Sequence, residues 1–141
     1  IIIFIFSYNY IKLEKIILMS FIYVGLGGFL GAAARYSCNI LFLSLLGLPI
    51  YFATLFANII GSFLMGIVFY YTSHNLSEFY KLFFITGFLG SFTTFSAFSL
   101  DSFNMLLDKN YQNLFFYVSF SVFLSILSLY LGFIIAKLFN S

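Results

Sequence analysis

Few residues in this sequence can do chemistry, and they fall into a pattern. Asn58 stands between Thr54 at i−4 and Ser62 at i+4. On a helix, that spacing puts an amide and two hydroxyls on one face, with Gly61 beside it. The stripe reads in two ways: as donors along a pore or binding crevice, or as hydrogen-bonding glue between apolar helices. A second cluster is residues 87–99, GFLGSFTTFSAFS. Gly87 and Gly90 precede the pair Thr93-Thr94, and glycine and paired hydroxyl residues both weaken a helix. A break here would free carbonyls to hold a cation and amides to meet an anion. Phe95 and Phe98 are i, i+3 and share a face. Phenyl rings present a positive edge, so the pair can line a path for a small anion. Ordinary packing is the other reading, since the chain holds 23 Phe.

The remaining polar residues are quickly placed. Arg35 is the one charge deep in an apolar stretch. It could draw an anion into a vestibule, snorkel toward an interface, or bond to freed carbonyls. Asp101 follows Phe98 by one turn and is expected at an interface. His74 reads as a loop histidine and Cys38 as a packed thiol.

The elements that must position these residues are membrane spans. Of 141 residues, 63% are hydrophobic and only 7% are charged. Mean hydropathy is +1.11. A soluble domain carries about a quarter charged residues, so neither a soluble globule nor a disordered chain fits. The net charge of +2 is small and scattered, which excludes a nucleic-acid patch. One cysteine excludes an intrachain disulfide framework. Four stretches are long enough to span a bilayer: about 21–46, 50–71, 79–107 and 114–138. The expected fold is an all-α integral membrane protein with four transmembrane helices, the third broken mid-span. It is a multi-pass protein of the cell (inner) membrane. At 16.1 kDa the bundle is too small to enclose a pathway comfortably, so an oligomer is expected.

The first eighteen residues stand apart. The run 1–6 is apolar, but Asn9, Lys12, Glu14 and Lys15 follow it, and the first methionine is Met19. Residues 1–18 are expected to be an upstream extension, or else an interfacial leader, and 19–141 the membrane domain. From Met19 onward, Lys81 and Lys137 fall at one end of the spans and Lys109 at the other. The positive-inside bias is then close to nil. Counting Lys12 and Lys15 creates one. A weakly biased bundle could insert both ways round, and two oppositely oriented copies would make an inverted repeat.

Three motifs carry a resemblance. Residues 27–36 (GGFLGAAARY), 54–66 (TLFANIIGSFLMG) and 87–96 (GFLGSFTTFS) resemble the Fluc/CrcB fluoride channels, in that family's order and spacing. The match runs from Met19 to the C-terminus. It implies an antiparallel dual-topology homodimer with two fluoride pores, and no enzymatic activity. It implies that Phe95 and Phe98 form aromatic fluoride sites and that Asn58 and Thr54 line the pore. Arg35 would sit at the aqueous vestibule. The backbone carbonyls of Gly90 and Thr93, from both subunits, would hold a structural Na+ at the dimer interface. Ser125 is the better match to a pore serine on the fourth helix, with Ser121 its rival. Some genomes carry paired copies that assemble as heterodimers with a paralogue. The sequence departs from the family pattern at Ser91, Ala97 and Asp101, where Gly, Thr or Ser, and Glu are usual. Ser91 could stiffen the break, and Ala97 lacks a hydroxyl.

The expected function is passive export of cytoplasmic fluoride, which enters as HF and is trapped as the anion. Two rivals remain. A small multidrug-type, proton-coupled transporter needs a titratable carboxylate deep in a span, yet spans one, two and four hold no Asp or Glu. A non-transporting membrane assembly subunit needs no broken helix.

Overall fold

The computed structural model describes residues 2–72 and 77–140, with side chains described from Leu13 onward. His74 lies outside the described residues. Helix α1 runs Ile2–Ile40 and ends in one wider π-wound turn, Leu41–Leu45. Gly47, at φ 64°, reverses the chain into α2, Ile50–Thr72. Only glycine adopts that left-handed conformation at no cost. Helix α3 covers residues 78–92 and consists of Glu78–Tyr80, a π-wound stretch Lys81–Leu89, and Gly90–Phe92. Helix α4 is Phe95–Leu107 and α5 is Tyr111–Phe139.

Among the described residues there is no strand. Four stretches are long and apolar enough to cross a bilayer: Leu13–Leu45, Ile50–Thr72, Glu78–Leu107 and Tyr111–Phe139. They agree closely with the sequence reading for the second, third and fourth spans. The first differs, because α1 starts at Ile2 rather than near Phe21. The polar residues between Ser7 and Lys15 include no Gly or Pro, so polarity changes along α1 without ending the winding.

Lipid offers no hydrophobic drive between helices, so close packing of small residues must hold them together. The buried residues of α2 are Ala53, Thr54, Ala57, Gly61, Gly66 and Tyr70. Helix α2 packs most extensively along α5, where Gly132 and Ala136 are buried. A methyl group added at Gly66 would run into the Leu129 carbonyl, and one at Gly132 into the Phe63 carbonyl. The two backbones therefore touch through reciprocal glycines. Helix α1 meets α3 in the same manner. A methyl at Gly27 would strike the Phe83 carbonyl, and one at Gly31 the Phe88 carbonyl. Gly27 and Gly31 are four apart, while Phe83 and Phe88 are five apart. The π winding of α3 repeats at i→i+5, so it matches a five-residue spacing to the four-residue spacing of α1.

Candidate functional site

Helical winding stops at Phe92 and resumes at Phe95. Thr93 and Thr94 between them are extended, at φ −82°, ψ 153° and φ −153°, ψ 121°. Such a pair leaves peptide groups without their helical partners, and each needs another. The Asn58 side chain supplies two. Its Oδ1 accepts from the Thr94 N–H at 2.8 Å, and its Nδ2 donates to the Thr94 carbonyl at 3.3 Å. One amide thus clamps both peptide groups of Thr94, which is the interhelical bonding considered for this residue. An amide nitrogen carries two protons, and Asn58 keeps one beyond that clamp. The Thr93 N–H and hydroxyl both fall back on the Leu89 carbonyl, at 3.0 and 2.9 Å. Thr94 Oγ1 caps α4 by accepting from the Ala97 N–H at 3.2 Å. The Ser91 carbonyl accepts from Arg35 Nε at 3.1 Å. Among the described residues, no hydrogen bond reaches the carbonyls of Gly90 or Thr93.

A cavity of about 400 Å³ opens beside these extended residues. Asn58, Gly61 and Ser62 line it from α2, and Ser121 and Ser125 from α5. Thr93, Thr94, Phe95 and Phe98 close the third side. The Phe95 and Phe98 rings lie 5.4 Å apart, tilted by 41°. No lining residue is charged. Both candidate serines of the last span face this cavity, but they differ. Ser121 is 6% exposed and its Oγ has no hydrogen-bond partner among the described residues. Ser125 is half-buried. Phe95 is 78% exposed, so the single chain leaves the cavity open at its ring.

The structure separates Thr54 from this group. Thr54, 3% exposed, lines a second cavity of about 600 Å³ with Arg35, Asn39, Asp101 and Asn104. The one-face stripe is therefore split: Asn58 and Ser62 look into the first space and Thr54 into the second. A four-residue step on an α-helix turns about 40°, enough for successive members to face different sides of a partner side chain. That partner is Tyr117. Its ring lies 5.5 Å from Phe98, and its hydroxyl donates to Asp101 Oδ2 at 3.1 Å. Thr54 is a second polar neighbour of the same hydroxyl. Tyr117, 5% exposed, thus touches Phe98 of the first cavity and Asp101 and Thr54 of the second. Sequence reasoning passed over it, as one of 11 tyrosines. Its i+4 and i+8 relation to Ser121 and Ser125 was the signal available.

Arg35 lines the polar cavity and bonds to a freed carbonyl, the last of the three readings considered for it. Asp101 is half-buried and accepts a hydrogen bond from Tyr117. The Ser91 side chain packs toward Gly28, where an added methyl would lie 3.2 Å from its Oγ. Among the described residues, no three His, Cys, Asp or Glu side chains gather as a metal site.

Comparison with known proteins places this arrangement. The profile of the family described as "CrcB-like protein, Camphor Resistance (CrcB)" matches residues 22–133. A protein of Campylobacter jejuni named "Fluoride-specific ion channel FluC" is 42% identical over 115 residues, covering 81% of this chain and 94% of that protein. "Fluoride-specific ion channel FluC 1" of Listeria monocytogenes is 38% identical over 115 residues, covering 82% and 95%. The Magnetococcus marinus "Fluoride-specific ion channel FluC" is 37% identical over 122 residues, covering 85% and 99%. With four membrane-capable helices and a family match across most of its length, the chain belongs to the CrcB family of membrane proteins.

Proposed function

We propose that this protein is a fluoride channel that lets the anion leave the cytoplasm down its electrochemical gradient, without catalysis. The observation that carries the reading is the first cavity. Its wall combines the Asn58 amide with its spare N–H, the Ser121 hydroxyl, unpartnered among the described residues, and the rings of Phe95 and Phe98, with no charged side chain. Neutral donors in a partly dry space can replace the water around a small anion without trapping it. The names of the relatives support fluoride as that anion.

In this mechanism Arg35 gathers anions at the second, polar cavity, which serves as the vestibule. Thr54 and Tyr117 stand where the vestibule meets the donor-lined path. Asn58 holds Thr94 extended and offers its remaining proton to the anion. Of the two serines, the burial and free hydroxyl of Ser121 favour it as the nearer donor, with Ser125 next along α5. The break at Thr93–Thr94 sits at membrane depth, where such backbone is tolerated only if protein covers it or it lines a cavity. The exposure of Phe95 supports cover from a second copy, in the antiparallel dual-topology pairing that the resemblance implies. The unbonded carbonyls of Gly90 and Thr93 fit a Na+ there, since freed carbonyls at a helix C-terminal end suit a small hard cation. When bound, the ion would neutralise that end and fix the break; Gly90 and Thr93 of both copies would hold it.

The proton-coupled rival fares poorly, because Asp101 lies in the other cavity and is already bonded to Tyr117. The deciding experiment is ion efflux from liposomes carrying the purified protein. Fluoride should leave quickly and chloride should not, and Phe95→Ile should slow the fluoride. Equal release of both halides, or none of either, would overturn the proposal.

A further inference from the structure

The break between α3 and α4 is held from two sides. A continuous helix would carry two hydrogen bonds across it, each from an N–H to the carbonyl four residues back. These are the Thr94 N–H to the Gly90 carbonyl and the Phe95 N–H to the Ser91 carbonyl. Among the described residues neither is present. A side chain takes one partner of each instead. Asn58 Oδ1, from α2, accepts from the Thr94 N–H at 2.8 Å. Arg35 Nε, from α1, donates to the Ser91 carbonyl at 3.1 Å. The first bond draws the amide away from Gly90. The second occupies the carbonyl that the Phe95 N–H would need.

Arg35 is placed for this by its own helix. It lies about two turns beyond Gly28 on α1, and helical side chains lean toward the N-terminus. Gly28 faces Ser91, whose Oγ would lie 3.2 Å from a methyl added there. The Arg35 side chain therefore reaches back along α1 toward the residue that Gly28 faces. Gly27 and Gly31 set α1 against the carbonyls of Phe83 and Phe88, so the guanidinium starts from fixed backbone. Among the described residues no carboxylate pairs with Arg35. Asp101 lines the same cavity but accepts from Tyr117. The side chain is thus fixed by a neutral carbonyl, through its inner nitrogen. Its two outer nitrogens are left to the vestibule.

We propose that Arg35 is a positioning residue: through Nε it holds the Ser91 carbonyl off the Phe95 N–H and keeps the break open, a job that needs the N–H rather than the charge. Its effect on flux rests on the channel reading, because Thr94 and Phe95 meet the ion path only from a broken helix. Its effect on the backbone does not.

Three substitutions separate bond from charge. Gln places an N–H donor at the same point along the side chain as Arg Nε, without the charge. Lys keeps the charge but carries its ammonium one atom further out. Met has neither. The glycine contacts that pack the helices do not involve Arg35, so all three proteins should be recovered folded. Amide hydrogen exchange is followed in purified protein, in peptides spanning 87–99. R35M should change exchange there by about tenfold or more, the factor expected for a hydrogen bond from a charged donor, and R35Q should bring it back toward the parent. Fluoride efflux from liposomes is read at low salt and again at about 1 M, where the Debye length is about 3 Å. R35Q should lose flux at low salt with its charge and regain most of it, relative to the parent, at high salt. R35M should stay about tenfold or more below R35Q at high salt, with R35K between them. Exchange in R35M like that of the parent, or R35Q no closer to the parent than R35M, would overturn the proposal. So would an R35K that matches or exceeds R35Q at high salt, since charge would then suffice. Should R35M not be recovered, R35Q against R35K gives the same ranking. A parent that releases no fluoride sinks the channel reading, while exchange still decides the role of Arg35.

Discussion

Asn58→Asp separates the two jobs of this side chain. In the parent, Oδ1 accepts from the Thr94 N–H at 2.8 Å and Nδ2 donates to the Thr94 carbonyl at 3.3 Å. A carboxylate keeps the first bond and loses the second, leaving one of the two Thr94 peptide groups unpaired at about 1–3 kcal/mol. The extended backbone at Thr94 should therefore persist and the protein should still be recovered folded. The permeation cost is much larger. A fixed negative charge about 4 Å from a passing anion, at an effective dielectric of about 20, opposes it by about 4 kcal/mol. That is close to a thousandfold in flux. Asn58→Ala supplies the contrast, because it leaves both Thr94 peptide groups unpaired at about 1–3 kcal/mol each. It should cost stability, while Asn58→Asp should cost flux. The assay is fluoride efflux from liposomes at pH 9, where a half-buried carboxylate is ionised, alongside thermal unfolding in detergent. A folded Asn58→Asp protein whose efflux stays within tenfold of the parent would refute the placement of Asn58 on the ion path.

Other outcomes follow from the same geometry. Ser121→Ala removes a buried hydroxyl that has no partner among the described residues, so the midpoint of unfolding should hold or rise while fluoride flux falls more than in Ser125→Ala; the reverse order of fluxes would transfer the donor role to Ser125. Gly66→Ala drives a methyl into the Leu129 carbonyl, and such overpacking should cost about 3 kcal/mol, or about 10 °C in the unfolding midpoint. Gly25→Ala, with nothing within 4 Å, should be silent in the same measurement. Thr94→Val deletes the cap on the Ala97 N–H and should cost about 1 kcal/mol, with Thr94→Ser restoring it; equal stability of all three proteins would count against the cap.

The number and approximate limits of the spans were legible because lipid imposes a strong rule on composition. A segment that crosses must be apolar for about twenty residues, whatever it packs against. The rarity of charge likewise made Arg35, Asp101 and the Asn58 stripe visible without coordinates. Helix-weakening residues at 90–94 pointed to the place where winding stops, since glycine and hydroxyl side chains act locally on their own backbone. Other features depend on neighbours far away in sequence. Nothing in the order of residues says that the Asn58 amide is spent on both peptide groups of Thr94, 36 positions later. The π winding that fits Phe83 and Phe88 to Gly27 and Gly31 is an agreement between two helices, not a property of either. Tyr117 became important only once folding set it between Phe98 and Asp101.

The sequence by itself thus determined that the protein lives in a membrane, how often it crosses, and which few polar side chains lie inside its spans. Those follow from transfer energies and local propensities, which each segment carries alone. The tertiary structure decided how the polar residues divide between two cavities, that Thr54 belongs with Arg35 and Asp101, and that Ser121 rather than Ser125 is left with a buried, unpartnered hydroxyl. Those depend on which backbones approach closely enough to exclude water, and that is settled by glycines meeting across helices rather than along one.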